Sequence, residues 1–180
     1  MNGATTQATN VANNDEATHA AGETRWLDER ATRAWRTLQF MNMRLEGELA
    51  RRLAADSDLS YPDYMVLVAL TGHAEGRLRL YELAEQLGWE KSRLSHQVAR
   101  MATRGLVAKE QCENDRRGAY VVVTEPGHRA IAAAAPGHVD AVRNLFVDRL
   151  SPAQLDTIGD AAEVVLAGLA VAGDEGPRDE

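Results

Sequence analysis

The feature that most constrains this chain is the stretch from Glu90 to Gly105, EKSRLSHQVARMATRG. At 100° per residue, Leu94, Val98 and Met101 fall on one narrow stripe of a helix. Polar and basic side chains on the other face can hydrogen-bond to base edges and phosphates in a major groove. A solvated face of an ordinary surface helix is the alternative, and the neighbouring segments decide between the two. The residues of that outer face are Ser92, Arg93, Ser95, His96, Ala99, Arg100 and Thr103.

Composition and cysteine content set broad limits on the class of protein. The chain has 180 residues, enough for one or two domains, and few aromatic side chains, which favours a mainly helical fold. Cys112 is the one cysteine, so an intramolecular disulfide framework is excluded and a reducing cytosol is favoured. No apolar run approaches the ~18 residues of a membrane span, and the N-terminus lacks a signal-peptide pattern. We therefore expect a soluble cytoplasmic protein without a membrane partner.

The charge is distributed unevenly along the chain. The net charge is −7, which argues superficially against nucleic acid as a partner. Residues 77–117, however, hold nine Lys and Arg against six Asp and Glu, a local charge of +3, and the remainder carries −10. This asymmetry is typical of a basic binding surface on an acidic body.

Long helices are predicted in the first third of the chain. Residues 1–23 lack periodicity and large apolar side chains, so they should be disordered. From about Trp26 to Leu53, apolar residues recur at spacings of three and four, which predicts one long helix followed by an acidic loop, AADSD. Ser60 then reads as the N-cap of an almost wholly apolar helix ending near Thr71, which we expect at the centre of a domain.

A helix-turn-helix pattern follows. Residues 77–80 alternate as a short strand would, and a short helix is predicted from about Tyr81 to Leu87. Gly88 supplies a tight or left-handed turn, after which the helix of Glu90–Gly105 begins. Two short helices joined by a tight glycine-containing turn form a helix-turn-helix.

The next segment predicts a hairpin, which makes the helix-turn-helix winged. Residues 106–112 and 119–124 have the pattern of strands, the second with strong β-propensity. Between them, residues 113–118 form a polar turn with two adjacent arginines, Arg116 and Arg117. A basic hairpin tip beside a helix with a polar outer face is economically explained by binding to DNA.

The last third of the chain predicts two more helices. Thr124 can cap a helix running to about Leu150, in which Pro136-Gly137 predicts a kink or a local break. Ser151-Pro152-Ala153-Gln154 has the pattern of a capping box and predicts a restart. These helices and the first one have more apolar surface than a lone winged domain needs, so we interpret them as a dimerisation module.

The predicted fold is α+β, mainly α with a small β-hairpin wing: a winged helix-turn-helix whose N- and C-terminal helices form a dimerisation domain. The expected segments are a disordered tail at 1–23, dimerisation helices at 24–56 and 125–170, the winged DNA-binding domain at 57–124, and a disordered tail at 171–180.

From about residue 26 to residue 170, this order of elements resembles the MarR family of bacterial transcriptional regulators. The strings LAEQLGWEKSRLSHQVARMATRGLV and DRRGAYVVVTEPG are similar to the family's, and the Asp-Arg near the wing tip with the later Thr-x-x-Gly is the most specific part. The resemblance implies a homodimer that binds a pseudo-palindromic operator in double-stranded DNA with two recognition helices and two wings. It implies a transcriptional regulator, a repressor relieved by a small-molecule effector, associated with the nucleoid when bound to DNA.

The resemblance also implies roles for individual residues. In the wing, one of Arg116 and Arg117 would enter the minor groove, and Asp115 would pair with an arginine and restrain the wing. Tyr81 departs from the family, which often has a small hydroxyl residue there. The recognition-helix positions used for bases and phosphates correspond to Ser92, Arg93, Ser95, His96 and Arg100.

The family often binds small aromatic effectors between the dimerisation helices and the DNA-binding lobe. Trp35, Arg36, Tyr61 and Met65 are therefore candidates for an effector pocket, with packing in the core as the alternative. Trp89 follows the turn and is expected to pack rather than to contact DNA.

Two alternatives to a ligand-controlled regulator remain. The family's hydroperoxide sensors place their reactive cysteine near the first helix, where this chain has none, but Cys112 leaves open a redox-sensing regulator. A winged-helix dimer that binds protein instead of DNA is the second. Enzyme function is excluded on motifs: the five histidines show no HExxH or paired-ligand spacing, and G-x-S-x-G, phosphate-loop and dinucleotide patterns are absent. We expect no catalytic residue, no cofactor and no metal site.

Overall fold

A computed structural model describes residues 24–112 and 115–174, with the backbone alone at 112, 115–118 and 170–174. Contacts within the chain divide it into two units, residues 1–38 and 39–180. The described elements are six helices, three strands and one short 3-10 helix. In chain order they are α1 (Glu29–Asp56), α2 (Tyr61–Thr71), β1 (Arg77–Arg79), α3 (Leu80–Leu87), α4 (Lys91–Thr103), β2 (Val107–Cys112), β3 (Asp115–Val123), α5 (Glu125–Leu145), the 3-10 turn Val147–Arg149 and α6 (Pro152–Asp174).

In the first unit, the described residues begin α1. The helix starts at Glu29 rather than near Trp26, because the Asp28 carboxylate accepts the Ala31 N–H at 2.7 Å and caps the first turn. Trp26 therefore lies before the helix and is exposed, as are Trp35 and Leu38. Residues 1–23, predicted to be disordered, lie outside the described part of the chain.

The second unit contains the rest of α1 and the core. The helix runs to Asp56, so the predicted loop AADSD is wrong for its first three residues, and only residues 57 and 58 of that string lie beyond the helix. Alanine and a solvent-facing aspartate cost little in a last turn, and Leu53 is buried there and holds it against the domain.

The predicted centre of the domain is confirmed. Ser60 caps α2 with a capping box: its hydroxyl accepts the Asp63 N–H at 3.2 Å, and the Asp63 carboxylate accepts the Ser60 N–H at 2.9 Å. Val66, Leu67 and Leu70 of α2 are fully buried. The core packed around them also includes Leu78, Leu83, Leu94, Val98, Met101 and Val121.

The three strands form one antiparallel sheet in the order β1-β3-β2. Leu78 pairs with Val121 on one side, and Lys109 pairs with Val121 on the other. The register between β2 and β3 is regular to Gln111↔Ala119 and then shifts, so that Cys112 pairs with Asp115. The β3 strand therefore starts at Asp115, and the predicted polar turn over 113–118 is wrong for its last four residues.

Helix α5 starts as predicted, with the Thr124 hydroxyl accepting the Gly127 N–H at 3.2 Å. The prediction for Pro136-Gly137 was a kink or a local break; the break is wrong, because α5 is one helix from Glu125 to Leu145. Pro136 has no N–H to donate to the Ala132 carbonyl, and both residues are exposed, where water can compensate for the missing bond. The helix ends at Leu145 rather than at Leu150, and the 3-10 turn follows.

Helix α6 begins with the predicted capping box: Ser151 N–H donates to Gln154 Oε1 at 2.9 Å and Gln154 N–H to Ser151 Oγ at 3.3 Å. It extends to Asp174, four residues into the segment predicted as a tail, and 175–180 lie outside the described residues. Within the described ranges, every helix is too short or too polar to cross a bilayer.

Candidate nucleic-acid interface

The turn between α3 and α4 sets the orientation of the second helix. Gly88 has φ 62°, in the left-handed region that favours glycine, and its N–H donates to the Glu85 carbonyl at 3.0 Å. The Trp89 N–H donates to the Ala84 carbonyl at 2.9 Å, which closes the turn. Leu94, Val98 and Met101 of α4 are fully buried, so the stripe predicted from the sequence faces the core. The two helices form a helix-turn-helix.

The opposite face of α4 lies at the surface, as its pattern predicted. Ser92, His96, Ala99 and Arg100 are exposed and Ser95 is half-buried. The Ser95 hydroxyl donates to the Lys91 carbonyl at 2.8 Å, which leaves its oxygen lone pairs as acceptors. This face offers donors, acceptors and a guanidinium within one helix surface.

Arg93 and Trp89 form one group at the start of α4. The Arg93 Cζ lies 4.4 Å from the centroid of the Trp89 ring, in cation–π geometry. Trp89 packs against the core, so the expectation that it packs is confirmed. Its ring fixes the guanidinium of Arg93 near the first turn of α4.

Sequence reasoning missed a second group, which lies beneath the exposed face. Asp63 and Gln97 are 2% and 3% exposed, and the Gln97 side-chain amide donates to Asp63 Oδ1 at 2.5 Å. The Arg100 guanidinium donates to the side-chain amide oxygen of Gln97, Oε1. Arg104, which ends α4, donates to Asp63 Oδ2 at 2.6 Å and to the Asp58 carbonyl at 2.5 Å. We call Asp63, Gln97, Arg100 and Arg104 the Asp63 network.

The signal for this network was present in the sequence. Gln97 lies 60° from Leu94 on the helical wheel, beside the stripe of Leu94, Val98 and Met101. A glutamine in a core-facing position needs a buried partner. Its partner Asp63 stands three residues after the predicted N-cap Ser60, a position that in the sequence indicates only a capping role.

A third cluster of basic and aromatic side chains lies at β1 and the start of α3. Arg77 and Arg79 flank the ring of Tyr120 on β3, with Cζ-to-centroid distances of 4.8 and 5.5 Å. The Tyr81 hydroxyl donates to Glu82 Oε1 at 3.1 Å, and this hydrogen bond to a carboxylate raises the pKa of Tyr81. Tyr81 is more than half exposed, at the position where the family often has a small hydroxyl residue.

Near the tip of the wing, at residues 112 and 115–118, the structure describes the backbone alone. Asp115, Arg116 and Arg117 lie in β3, whereas the sequence placed them in a turn, and Cys112 ends β2 as predicted. Their side chains lie outside the described part, so the roles of Asp115, Arg116, Arg117 and Cys112 stay predictions.

A cavity of about 560 Å³ lies between α1, the start of α2 and the turn before α4. Tyr61 and Met65, two of the four predicted effector residues, line it, and burial followed by the charge of Glu46 raises the pKa of Tyr61. Trp35 and Arg36 belong to the first unit and are exposed. Other lining residues are Leu45, Leu49, Trp89 and Arg93.

The fold and the exposed face of α4 define the class: a winged helix-turn-helix protein. A sequence model described as MarR family matches residues 57–118. The chain is 35% identical over 94 residues to the transcriptional regulator HosA of Escherichia coli O127:H6, an alignment covering 52% of this chain and 67% of HosA. The chain belongs to the MarR family of transcriptional regulators, and the resemblance inferred from its motifs is confirmed.

Solved structures agree with this assignment. One of them is Sco3205, a MarR family regulator from Streptomyces coelicolor solved in complex with DNA. This chain is 39% identical to it in sequence, with a TM-score of 0.77, and the match covers 82% of this chain and 92% of Sco3205. AbsC, a MarR family regulator from the same organism, is also 39% identical, with a TM-score of 0.75, covering 82% of this chain and 99% of AbsC. The mainly α fold with a small β wing is confirmed, and the relatives are regulators rather than enzymes. Among the described residues, no group of three or more His, Cys, Asp or Glu side chains is arranged to hold a metal ion.

Proposed function

We propose that this protein is a homodimeric repressor that binds a pseudo-palindromic operator, inserting α4 of each protomer into a major groove. The observation that carries the proposal is the two-sided character of α4. Its apolar stripe is fully buried, so the helix is held rigidly on the domain with Ser92, His96 and Arg100 directed outward. Ser, His and Arg side chains supply donors and acceptors for base edges, and arginine also pairs with phosphates.

The test is a gel shift with the promoter region beside the protein's own gene. We expect binding that survives competition by unrelated DNA and footprints two half-sites about one helical turn apart. Failure to bind any neighbouring intergenic DNA, together with a stable protein complex on pull-down, would replace this proposal with the protein-binding alternative. Repression is tested by a reporter, whose output should rise when the regulator gene is deleted.

The wing arginines supply the second contact in this proposal. We expect Arg116 or Arg117 to enter the minor groove, with Asp115 restraining the wing. Arg116→Ala should weaken operator binding and lower the slope of log K against log salt by about one unit, because one phosphate-neutralising charge is lost. Unchanged affinity and slope in a salt titration would count against a role for Arg116.

Apolar surface on single protomers supports the homodimer. Val164, Val165, Leu166 and Leu169 of α6 are all more than half exposed. An open groove of about 880 Å³ runs between α1, the end of α5 and α6, and Phe40, Met43, Phe146 and Ile158 are among its lining residues. Contiguous apolar surface of this kind marks a protein interface, and a second copy of the chain is the occupant that a palindromic operator requires.

The cavity beside Tyr61 and Met65 supports control by a small aromatic effector. Its walls combine Leu45, Met65 and Trp89 with one cation, Arg93, and one carboxylate, Glu46, which favours an aromatic ligand with polar groups, such as a phenol. The assay is fluorescence of a Trp26→Phe/Trp35→Phe variant, in which Trp89 reports the cavity, titrated with a panel of phenols and aromatic carboxylic acids. Met65→Trp should fill the cavity and abolish binding of a ligand found this way while DNA binding persists.

A further inference from the structure

The Asp63 network connects the core to the exposed face of α4 through one side chain. Asp63 lies on α2 and is 2% exposed, Gln97 is buried on the inner side of α4, and Arg100 is exposed one turn further on. The hydrogen bonds run in series, from Gln97 to Asp63 Oδ1 and from Arg100 to Gln97. A buried carboxylate therefore reaches the DNA-facing surface through a single amide.

The chemistry of the three groups leaves one arrangement of that amide. An ionised carboxylate only accepts hydrogen bonds, so Asp63 must receive the NH₂ of Gln97. A guanidinium only donates, so Arg100 must bond to the oxygen of Gln97. Flipping the Gln97 amide would place donor against donor and acceptor against acceptor, and both bonds would be lost.

The Asp63 carboxylate, at the buried end of this series of hydrogen bonds, has two further donors. Asp63 also accepts from the Ser60 N–H at 2.9 Å and from Arg104 at 2.6 Å. Gln97 is itself 3% exposed, beside the fully buried stripe of Leu94, Val98 and Met101 on the same helix. The amide oxygen that Arg100 contacts is thus placed by packing and by hydrogen bonds rather than by solvent.

We propose that Gln97, oriented by Asp63, is a positioning residue that holds the Arg100 guanidinium for a bidentate contact with a guanine edge. This inference rests on the proposed DNA-binding function. A phosphate tolerates a range of guanidinium orientations, whereas guanine O6 and N7 demand a fixed plane, so a dedicated buried support is matched to base recognition. One of the five N–H groups of Arg100 is used by Gln97, and the others remain to face DNA. Arg93 lies over Trp89 instead and is the natural comparison.

The first experiment is a double-mutant cycle measured on an operator and on unrelated DNA. Gln97→Met keeps the length and volume of the side chain and removes both hydrogen bonds. We expect about a 10-fold loss of affinity for the operator and less than about a twofold loss on unrelated DNA. In an Arg100→Ala background, Gln97→Met should cause no further loss, whereas in an Arg93→Ala background the full loss should persist. An equal loss in both backgrounds would overturn the proposal, because Gln97 would then act through the fold.

A surface variant covers the case in which Gln97→Met does not fold. Arg100→Lys keeps the charge at an exposed position and removes the bidentate fork. We expect about a 10-fold loss on the operator, no loss on unrelated DNA, and relaxed discrimination at one G·C pair in each half-site. A uniform loss on all sequences would assign Arg100 to a phosphate and overturn the guanine contact.

The network can also be tested on the free protein. The Arg100 guanidinium ¹⁵N resonances should show slowed rotation in wild type and fast rotation in Gln97→Met, without any DNA present. Fast rotation in wild type overturns the positioning role even if the operator is bound. Slowed rotation together with no binding to neighbouring DNA would instead overturn the proposed function, and the guanine contact with it.

Discussion

Asp63 combines three roles in one carboxylate. It completes the capping box of α2, it orients Gln97, and it forms an ion pair with Arg104 at the end of α4. An almost fully buried charge is tolerated only when its lone pairs are occupied, and here three donors occupy them. The N-terminus of α2, Gln97 in α4 and Arg104 directly after α4 are therefore joined at Asp63.

Removing the cation from this group should destabilise the fold. Arg104→Met should lower the free energy of unfolding by about 2 kcal/mol, because Asp63 stays buried without its charged donor while the partly exposed arginine itself loses little on truncation. Urea denaturation monitored by circular dichroism measures the change. The control is Arg51→Ala, which breaks an exposed ion pair with Glu48 and should leave the free energy of unfolding nearly unchanged. Equal effects of the two substitutions would contradict the role given to Asp63.

His138 on α5 is a second residue with an unusual setting. Its ring centroid lies 4.4 Å from that of Tyr64 on α2, and among the described side chains its Nδ1 is buried without a hydrogen-bond partner. Burial lowers the pKa of His138 below its ordinary value of 6.5. The unfolded chain therefore binds this proton more readily than the folded one, and stability falls as the pH drops through about 6.5.

The expected result is a pH-dependent melting temperature. Between about pH 7.5 and about pH 5.5, wild type should lose more stability than His138→Phe, which keeps an aromatic ring against Tyr64 but does not titrate. Differential scanning calorimetry at a series of pH values gives the comparison. His128→Gln, at an exposed position of the same helix, should follow wild type, and a His138→Phe curve parallel to wild type would refute the assignment.

At the scale of elements, α5 is attached to the winged domain through its first turn. Thr124 caps the helix and also donates from its hydroxyl to the Gly105 carbonyl at 2.5 Å. A Cβ added at Gly127 would overlap the Leu106 carbonyl oxygen and lie 3.1 Å from Val123 Cγ1. Glycine is required here by the close approach of helix and strand.

Gly127→Ala should therefore destabilise the protein by about 3 kcal/mol or more, because backbone rather than a flexible side chain would have to move. The matched substitution is Gly137→Ala in the same helix, where the nearest atom to an added Cβ is Asp56 Oδ2 at 3.8 Å. That change should stabilise the protein by about 0.5–1 kcal/mol through helix propensity. Thermal unfolding of both variants measures these changes in stability. A Gly127→Ala protein as stable as wild type would rule out the close packing of helix and strand.

Element starts were predictable where capping residues mark them, and element ends were less so. Ser60, Thr124 and Ser151 fixed three helix starts correctly, because a cap is a local hydrogen bond between residues three apart. The end of α1 was missed because Ala54, Ala55 and Asp56 carry no stop signal, and the start of β3 was missed because pairing with β2 extends the strand to Asp115. The uninterrupted α5 was missed because Pro136 faces solvent, which its neighbours in sequence do not reveal.

The interface was predictable to the extent that it follows helical periodicity. The outward positions of Ser92, His96 and Arg100 and the buried stripe follow from a 100° step along one helix. The same periodicity places Gln97 beside the buried stripe, but it does not identify the partner, because Asp63 pairs with Gln97 and Arg104 across 34 and 41 positions of the chain. Tyr61 and Met65, two of the four residues predicted for an effector pocket, line one cavity, and their role toward an effector stays a prediction.

At the scale of the whole molecule, the unpaired apolar surface of α6 predicts a dimer. Leu166 is 63% exposed, and Leu166→Glu would place a charge in an interface between two copies. Sedimentation equilibrium should show wild type as a dimer and the variant shifted toward monomer, with operator affinity reduced at least about 10-fold because the two half-sites are no longer bound together. Glu163→Gln on the same helix is the control. A wild-type monomer at micromolar concentration would exclude the homodimer.

The Asp63 network also limits how this protein could be directed to a new DNA sequence. Exchanging a recognition helix between regulators is the obvious engineering route, and Ser92, His96 and Ala99 are exposed, so they can be exchanged without changing the core. Positions 97 and 104 are different, because they complete a carboxylate that belongs to another helix. A grafted segment that is apolar at both positions would leave the Asp63 carboxylate buried without these two hydrogen-bond donors. Retargeting this protein therefore means transferring α4 together with a compatible residue at position 63.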